Sequence, residues 1–145
     1  MILFTSDLEF VDIKKIKMNK LIINAADEKI FLMLITKDNT YSITHDNSKT
    51  NYEMLIILIN NFIYSKNLTL KDIKKIYVNR GPGSFAGIRN SLSIVKAINL
   101  TKNIDYYCYS SKDFEDEKEF NYTNIPKLCD KLNIKKNLIN PIYIS

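Results

Sequence analysis

The sequence predicts an α/β fold in which one sheet contains at least one parallel crossover. Three observations lead to this class. Apolar runs typical of buried β-strands stand near the start of the chain, two long segments carry apolar residues at helical spacing, and a glycine-rich turn joins a strand to the second helix. The predicted order is a hairpin and a third strand, followed by helix, strand, glycine turn, helix and strand.

The composition is that of one compact globular domain. The chain has 145 residues, of which 46% are hydrophobic and 26% charged. No apolar window approaches the roughly 18 residues that a membrane-spanning helix needs. No export signal is visible either, so we expect a cytoplasmic protein in which Cys108 and Cys129 stay reduced.

The net charge of +5 has two interpretations. It is compatible with an RNA-binding face, but almost all the basic residues are lysines spread along the chain, as an AT-rich coding bias would produce. No stretch interleaves arginine with aromatic residues, the pattern that stacks bases. A solvated lysine surface is therefore the favoured interpretation.

The first part of the chain predicts three strands. Residues 1–17 are interpreted either as an N-terminal extension or as the product of a start codon assigned too early. From Met18 onward, buried runs at 21–23 and 30–35 form a hairpin around a turn at Asp27 and Glu28, and residues 40–44 form the third strand.

Residues 50–66 predict one helix with a broad apolar face, made by Met54, Leu55, Leu58, Ile59, Phe62 and Ile63. Ile56 and Ile57 fall outside this face. Either the helix is buried on two sides, or one side contacts a partner.

The later elements follow from local signals. Thr69 and Asp72 resemble a capping box, which predicts a helical turn at 70–74 before a strand at 75–79. We further expect a helix at 84–101, a strand at 106–109, an acidic loop at 113–121, a short helix at 125–132 and a terminal strand at 141–144.

The glycine segment is the most informative stretch. All three glycines fall within residues 81–87, and the only two arginines, Arg80 and Arg89, bracket it. Ser84 is placed to cap the following helix, so Gly81, Gly83 and Ser84 form a candidate phosphate or nucleotide site. The spacing matches neither the Walker nor the dinucleotide pattern. A tight turn with a satisfied cap is the equally favoured alternative.

Catalytic and metal sites are not predicted. His45 is the only histidine and is expected in a polar loop, so a two-histidine metal site is excluded. Asn24 ends the first strand, where an amide can orient a group but cannot act as a base. We therefore predict neither a catalytic residue nor a metal ligand.

The run NRGPGSFAGIRNSLSIVKAINL resembles the signature of the TsaB (YeaZ-type) family of the bacterial tRNA threonylcarbamoyladenosine machinery. LIINAADEKIFLMLI is similar to that family's first hairpin, and residues 140–145 are similar to its closing segment. The chain departs from the family pattern at Asn24, Ala86 and Ser91. The signature positions are Arg80, Gly81, Pro82, Gly83, Ser84, Phe85, Gly87 and Arg89.

This resemblance implies an actin-like, ribonuclease-H-like (ASKHA) N-terminal lobe over residues 18–112 and a strongly reduced second lobe over 113–145. It also implies a non-catalytic scaffold that pairs with TsaD, the subunit that transfers threonylcarbamoyl to the tRNA adenosine next to the anticodon. A TsaE ATPase would act on the pair, and tRNA would be bound only through the complex. TsaD resembles a metal protein with two histidines, which this chain lacks. No cofactor is implied, apart from an adenine nucleotide that the partner interface could hold.

The family's pairing surface lies on helices of the N-terminal lobe. Six residues are therefore expected in the core or at the partner interface, with the division between the two left open: Met54, Ile57, Leu58, Phe62, Leu92 and Val95. The same apolar helices could form a homodimer.

Two other classes of function compete with the non-catalytic scaffold. One is a small nucleotide- or phosphate-binding phosphotransfer enzyme of the actin and sugar-kinase class, using residues 81–84 for phosphate. Asn24 and the missing second lobe argue against it. A peptidase is not supported, because the sequence offers no combination of nucleophile, base and oxyanion-stabilising groups.

Overall fold

The computed structural model describes residues 19–118 and 120–143. The predicted extension at 1–17 lies outside the described residues. A five-stranded sheet with the order β3-β2-β1-β4-β5 forms the centre of the molecule. Its strands are β1 (Asn19–Asn24), β2 (Lys29–Ile35), β3 (Thr40–Asp46), β4 (Ile73–Asn79) and β5 (Asp105–Tyr109).

The sheet is mixed, as the sequence predicts. β1 pairs with β2 and β2 with β3 in antiparallel register, whereas β4 runs parallel to both β1 and β5. This is the strand arrangement of a ribonuclease-H-like lobe. Because β1 is central and covered on both faces, Leu21, Ile22 and Ile23 are all fully buried, which explains their continuous apolar run.

The helices are α1 (Lys49–Glu53), α2 (Leu55–Tyr64), α3 (Phe85–Lys102) and α4 (Ile125–Lys131), with single 3₁₀ turns at Leu70–Asp72, Ser111–Phe114 and Tyr122–Asn124. The capping box at Thr69 and Asp72 is present, and β4 starts directly after that turn. No helix in the described part of the chain has both the length and the apolar character needed to cross a membrane.

The prediction of one continuous helix over 50–66 was wrong. Met54 leaves the helical conformation, with φ −99° and ψ 15°, and separates α1 from α2. The break lets the two segments pack differently. Tyr52 of α1 is buried beside the start of α3, where its carbonyl accepts a 3.3 Å hydrogen bond from the Asn90 amide. Leu55 and Ile59 of α2 are fully buried in the core.

Two apolar layers enclose the sheet. On one face, α1, α2 and α3 cover a large core that contains Leu21, Ile23 and Leu32. The opposite face carries a smaller cluster to which residues 113–143 contribute. The buried members of this cluster are Ile22, Met33, Tyr77, Tyr109, Phe114, Ile125, Leu128 and Cys129. The segment interpreted as a reduced second lobe therefore packs directly on the sheet.

The C-terminal segment contacts the ends of β4 and β5, and its described residues 141–143 do not form the strand predicted there. Residues 141–143 are irregular, and the Ile142 N–H donates a 2.7 Å bond to the carbonyl of Arg80, beyond the end of β4. Pro141 has no N–H to extend a ladder, which accounts for the wrong prediction over these residues. Further back, the Asn137 N–H donates to the carbonyl of Tyr106 over 2.7 Å.

Candidate functional site

The candidate site is an open cleft of about 780 Å³ at the carboxyl end of β1, beside the glycine segment. This is the edge of an α/β sheet at which ligands commonly bind. Of the three residues predicted for a phosphate site, Gly83 and Ser84 form part of its wall, whereas Gly81 does not line it. The cleft is lined by Asn24, Ala26, Asp27, Glu28, Lys29, Phe31, Thr44, Asn47, Gly83, Ser84 and Tyr122.

Asn24 is fully engaged within the protein. Its amide nitrogen donates to the Asp27 carboxylate and to the Tyr122 hydroxyl, both over 2.8 Å. Its side-chain oxygen accepts from the Ala26 N–H over 3.0 Å and from the Asn79 amide over 3.1 Å. A carboxamide offers two donors and two acceptors, so Asn24 has no further hydrogen-bonding capacity for a ligand.

Asn79 extends this network into the glycine segment. It ends β4, is 2% exposed, and its side-chain oxygen accepts a 2.8 Å bond from the Gly81 N–H. The pair of buried asparagines therefore fixes the start of the glycine segment relative to β1. Sequence reasoning missed Asn79, although asparagines at the ends of two predicted strands were a signal that could have found it.

Ser84 caps α3 as predicted. Its hydroxyl oxygen accepts from the Gly87 N–H over 3.2 Å, and its own N–H donates to the Ala26 carbonyl over 2.8 Å. The N–H groups of Ser84 and Gly87, which a phosphate could otherwise use, are therefore bound within the protein. The cap also holds the start of α3 against the turn between β1 and β2.

The glycines are explained by close backbone contacts. A Cβ on Gly87 would lie 1.7 Å from the Ala25 carbonyl oxygen, and one on Gly83 would lie 2.1 Å from that of Ala26. Gly81 has φ +106°, and a Cβ there would lie 2.1 Å from the Ile142 carbonyl oxygen. Packing of this segment against two neighbouring backbones therefore accounts for all three glycines.

The two arginines have different surroundings. Arg80 is largely buried, with its guanidinium 3.6 Å from the Asp113 carboxylate and donating to the Asn140 carbonyl over 3.1 Å. Arg89 is exposed, and its guanidinium lies 5.8 Å from the centre of the Phe85 ring. Arg80 holds the C-terminal segment in place, whereas Arg89 belongs to the surface.

Of the six residues expected in the core or at an interface, three are buried, two are exposed and one is intermediate. Phe62, Leu92 and Val95 are 5%, 4% and 0% exposed and belong to the core. Met54 and Ile57 are 40% and 47% exposed, and the structure places Leu58 between these classes.

A largely apolar groove of about 420 Å³ runs between α2 and α3. We call it the α2–α3 groove. It is lined by Ile56, Asn60, Leu70, Ser93, Ile94, Ala97, Ile98, Thr101 and Lys102.

The titratable groups near the cleft point to structural roles. Burial raises the pKa of the Tyr122 hydroxyl, while the Asn24 amide opposes this rise. Burial raises the pKa of both the Cys108 and the Cys129 thiol to about 12. Residues 19–118 and 120–143 contain no group of three or more His, Cys, Asp or Glu side chains placed to hold a metal ion.

Comparison with known proteins gives related sequences. The family model for TsaD, tRNA N6-adenosine threonylcarbamoyltransferase, matches residues 44–114, just under half of the chain. The tRNA threonylcarbamoyladenosine biosynthesis protein TsaB of Buchnera aphidicola subsp. Schizaphis graminum is 28% identical over 71 residues, which are 49% of this chain and 34% of the relative. TsaB of Buchnera aphidicola subsp. Baizongia pistaciae is 27% identical over 75 residues, 52% of this chain and 34% of the relative.

Comparison of structures gives the fold. YeaZ from Pseudomonas aeruginosa superposes with a TM-score of 0.59 at 17% identity, over 64% of this chain and 44% of that one. The predicted resemblance to TsaB and YeaZ proteins and the predicted ribonuclease-H-like lobe are both confirmed. The match spans about a third of the length of the curated relatives.

Proposed function

We propose that this chain is a non-catalytic subunit of the TsaB type that pairs with TsaD in the threonylcarbamoyladenosine modification of tRNA. Its likeness to TsaB sequences supports the pathway. In this proposal TsaE acts on the pair. An adenine nucleotide, if bound, lies at the interface between the subunits.

The use of the glycine segment as a packing element supports a scaffold rather than an enzyme. Gly83 and Gly87 pack closely against the backbone of the β1–β2 turn, and the Ser84 hydroxyl accepts a hydrogen bond from its own helix. Asn24, at the position where a catalytic acid would be sought, is a saturated amide. The glycines and Ser84 of the signature therefore have structural roles in the lobe.

An exposed apolar surface supports the pairing role and is the single observation that carries it. Met54 and Ile57 leave 40% and 47% of their surface exposed, and Ile56, the residue before Ile57, lines the α2–α3 groove. Ile94 and Ala97 of α3 line the same groove. Apolar side chains grouped in this way lose contact with water when a partner helix packs on them.

A phosphotransfer enzyme of the actin and sugar-kinase class is the second candidate, and the cleft beside Gly83 and Ser84 is the observation that favours it. It would require a nucleotide to bind although Asn24 and the Ser84 cap are already engaged. ATP turnover by the purified chain, lost on Ser84→Ala, would favour this enzyme over the scaffold.

The proposal is tested by mixing the chain with TsaD from the same source and measuring the mass of the complex by size exclusion with light scattering. We expect a complex that Ile57→Glu weakens at least about 100-fold, because an interface would bury an unpaired charge. Ile43→Glu is the matched control, since Ile43 is 38% exposed but lies on β3, away from the groove. A folded chain that does not bind TsaD would contradict the proposal.

A further inference from the structure

Phe85, Arg89, Lys96 and Tyr143 form a surface none of whose members lines the cleft or the α2–α3 groove; we call it the aromatic–cationic patch. Phe85 is 58% exposed and Tyr143 41% exposed, and their ring centres lie 4.7 Å apart. The Arg89 guanidinium lies 5.8 Å from the Phe85 ring centre. The patch joins the signature helix to the C-terminal segment, a contact that the sequence does not reveal.

The two cations of the patch are available to an anion. Arg89 and Lys96 are both exposed and stand two helical turns apart on the same side of α3. Together with Tyr143 they border a shallow depression of about 130 Å³, and no acidic residue is among those that line it. Within the described part of the chain, neither cation forms an ion pair with a carboxylate.

We propose that the aromatic–cationic patch binds unpaired nucleotides of an RNA loop, with bases stacking on the aromatic rings and phosphates contacting Arg89 and Lys96. Exposed aromatic rings beside arginine and lysine are the combination that binds single-stranded nucleic acid, because every base has a π-face and every linkage a negative charge. An acidic peptide would satisfy the cations but would make no use of the exposed surface of the two rings.

This inference rests on the proposed function for its choice of RNA and goes beyond it. The resemblance implies that tRNA is bound only through the complex, whereas the patch gives this chain an RNA contact of its own. It also changes the interpretation of the positive charge, since Arg89 and Tyr143 become neighbours only in the folded chain.

The test is fluorescence anisotropy of the full chain with three labelled probes: an RNA hairpin with an unpaired loop, a fully paired RNA duplex of equal length, and a polyglutamate peptide. We expect the hairpin to bind most tightly. Arg89→Ala and Phe85→Leu should each weaken hairpin binding about tenfold, and Arg89→Ala should lower the salt dependence by about one counterion.

Lys127→Ala is the matched control, because it removes an exposed cation from α4, an element that packs on the opposite face of the sheet. It should leave hairpin affinity within about twofold. The inference is overturned if the wild-type chain does not bind the hairpin, if hairpin and duplex bind equally, if the patch variants bind like the control, or if polyglutamate binds through the same residues.

The same variants separate this inference from the proposed function. Arg89→Ala lies outside the α2–α3 groove and should leave the mass of the TsaD complex unchanged. Loss of hairpin binding with an intact complex supports the inference. Failure of the wild-type chain to bind TsaD contradicts the proposed function. The inference that the patch binds RNA is then still tested by the hairpin measurement alone.

Discussion

The Asn79 side-chain amide donates a 3.1 Å hydrogen bond to the side-chain oxygen of Asn24, and both residues are 2% exposed. The bond joins the carboxyl ends of two neighbouring parallel strands, at the edge where the glycine segment begins. Because Asn79 also accepts a hydrogen bond from the Gly81 N–H, the pair fixes the turn before α3 relative to β1. The Asn24 side chain therefore connects β1, β4 and Tyr122 at the cleft through hydrogen bonds.

Asn24→Asp should destabilise the protein by about 1–3 kcal/mol at neutral pH, because it replaces a donor to the Asp27 carboxylate with a second carboxylate. Burial and this like charge raise the pKa of the new carboxyl in the folded state. Stability is thus lost as the pH rises above the unfolded-state pKa, and the deficit should shrink as the pH falls towards that value, about 4 for Asp. Urea unfolding at several pH values measures it.

The double variant Asn24→Asp with Asp27→Asn is the control for that prediction. It removes the carboxylate pair and returns an amide donor to the contact, so it should recover a large part of the lost stability. An equal unfolding midpoint for the wild type and Asn24→Asp would show that the amide network contributes little.

Gly87→Ala should destabilise the protein by at least about 2 kcal/mol, because the new Cβ would lie 1.7 Å from the Ala25 carbonyl oxygen. At an unhindered helical position the same change would stabilise by up to about 1 kcal/mol. Ser93→Ala, at an exposed position of the same helix, is the control and should have little effect. A midpoint of thermal unfolding for Gly87→Ala that equals or exceeds that of the wild type would refute the packing explanation of this glycine.

Leu92→Glu and Ile57→Glu should behave differently in the isolated chain. Leu92 is 4% exposed, so a charge there should prevent folding or cost several kcal/mol. Ile57 is 47% exposed, and its substitution should change the free energy of unfolding by no more than about 0.5 kcal/mol. Circular dichroism during urea unfolding distinguishes the two. Equal destabilisation would mean that Ile57 belongs to the core.

Cys108 and Cys129 should be unreactive in the folded protein. Burial raises the pKa of both thiols to about 12, so very little thiolate is present at neutral pH. A chromogenic thiol reagent should label neither cysteine in the native chain and both after denaturation. Rapid labelling of the native chain at either position would contradict this burial.

The sheet was predictable because its signals are local. Continuous apolar runs identify β1 and β2 wherever their partners lie, and the Ser84 cap involves residues only three positions apart. The break at Met54 was missed because apolar spacing continues through it. It is the burial of Tyr52 beside α3 that distinguishes α1 from α2.

The site was less predictable because its contacts join distant parts of the chain. Tyr122 reaches Asn24 only because residues 113–143 fold back over the sheet. The resemblance placed Ile57 and Leu92 in one set of core or interface residues, but the sequence could not say which of the two faces the core. That division depends on the orientation of each helix against the sheet.

The most direct test of the central claim is threonylcarbamoyl transfer to tRNA by TsaD of the same source, measured with and without this chain. We predict that the wild-type chain and Ile43→Glu support transfer, while Ile57→Glu lowers it at least about tenfold at equal subunit concentrations. Transfer that is equally fast without the chain, or unchanged by Ile57→Glu, would contradict the claim that this protein acts by pairing with TsaD through α2.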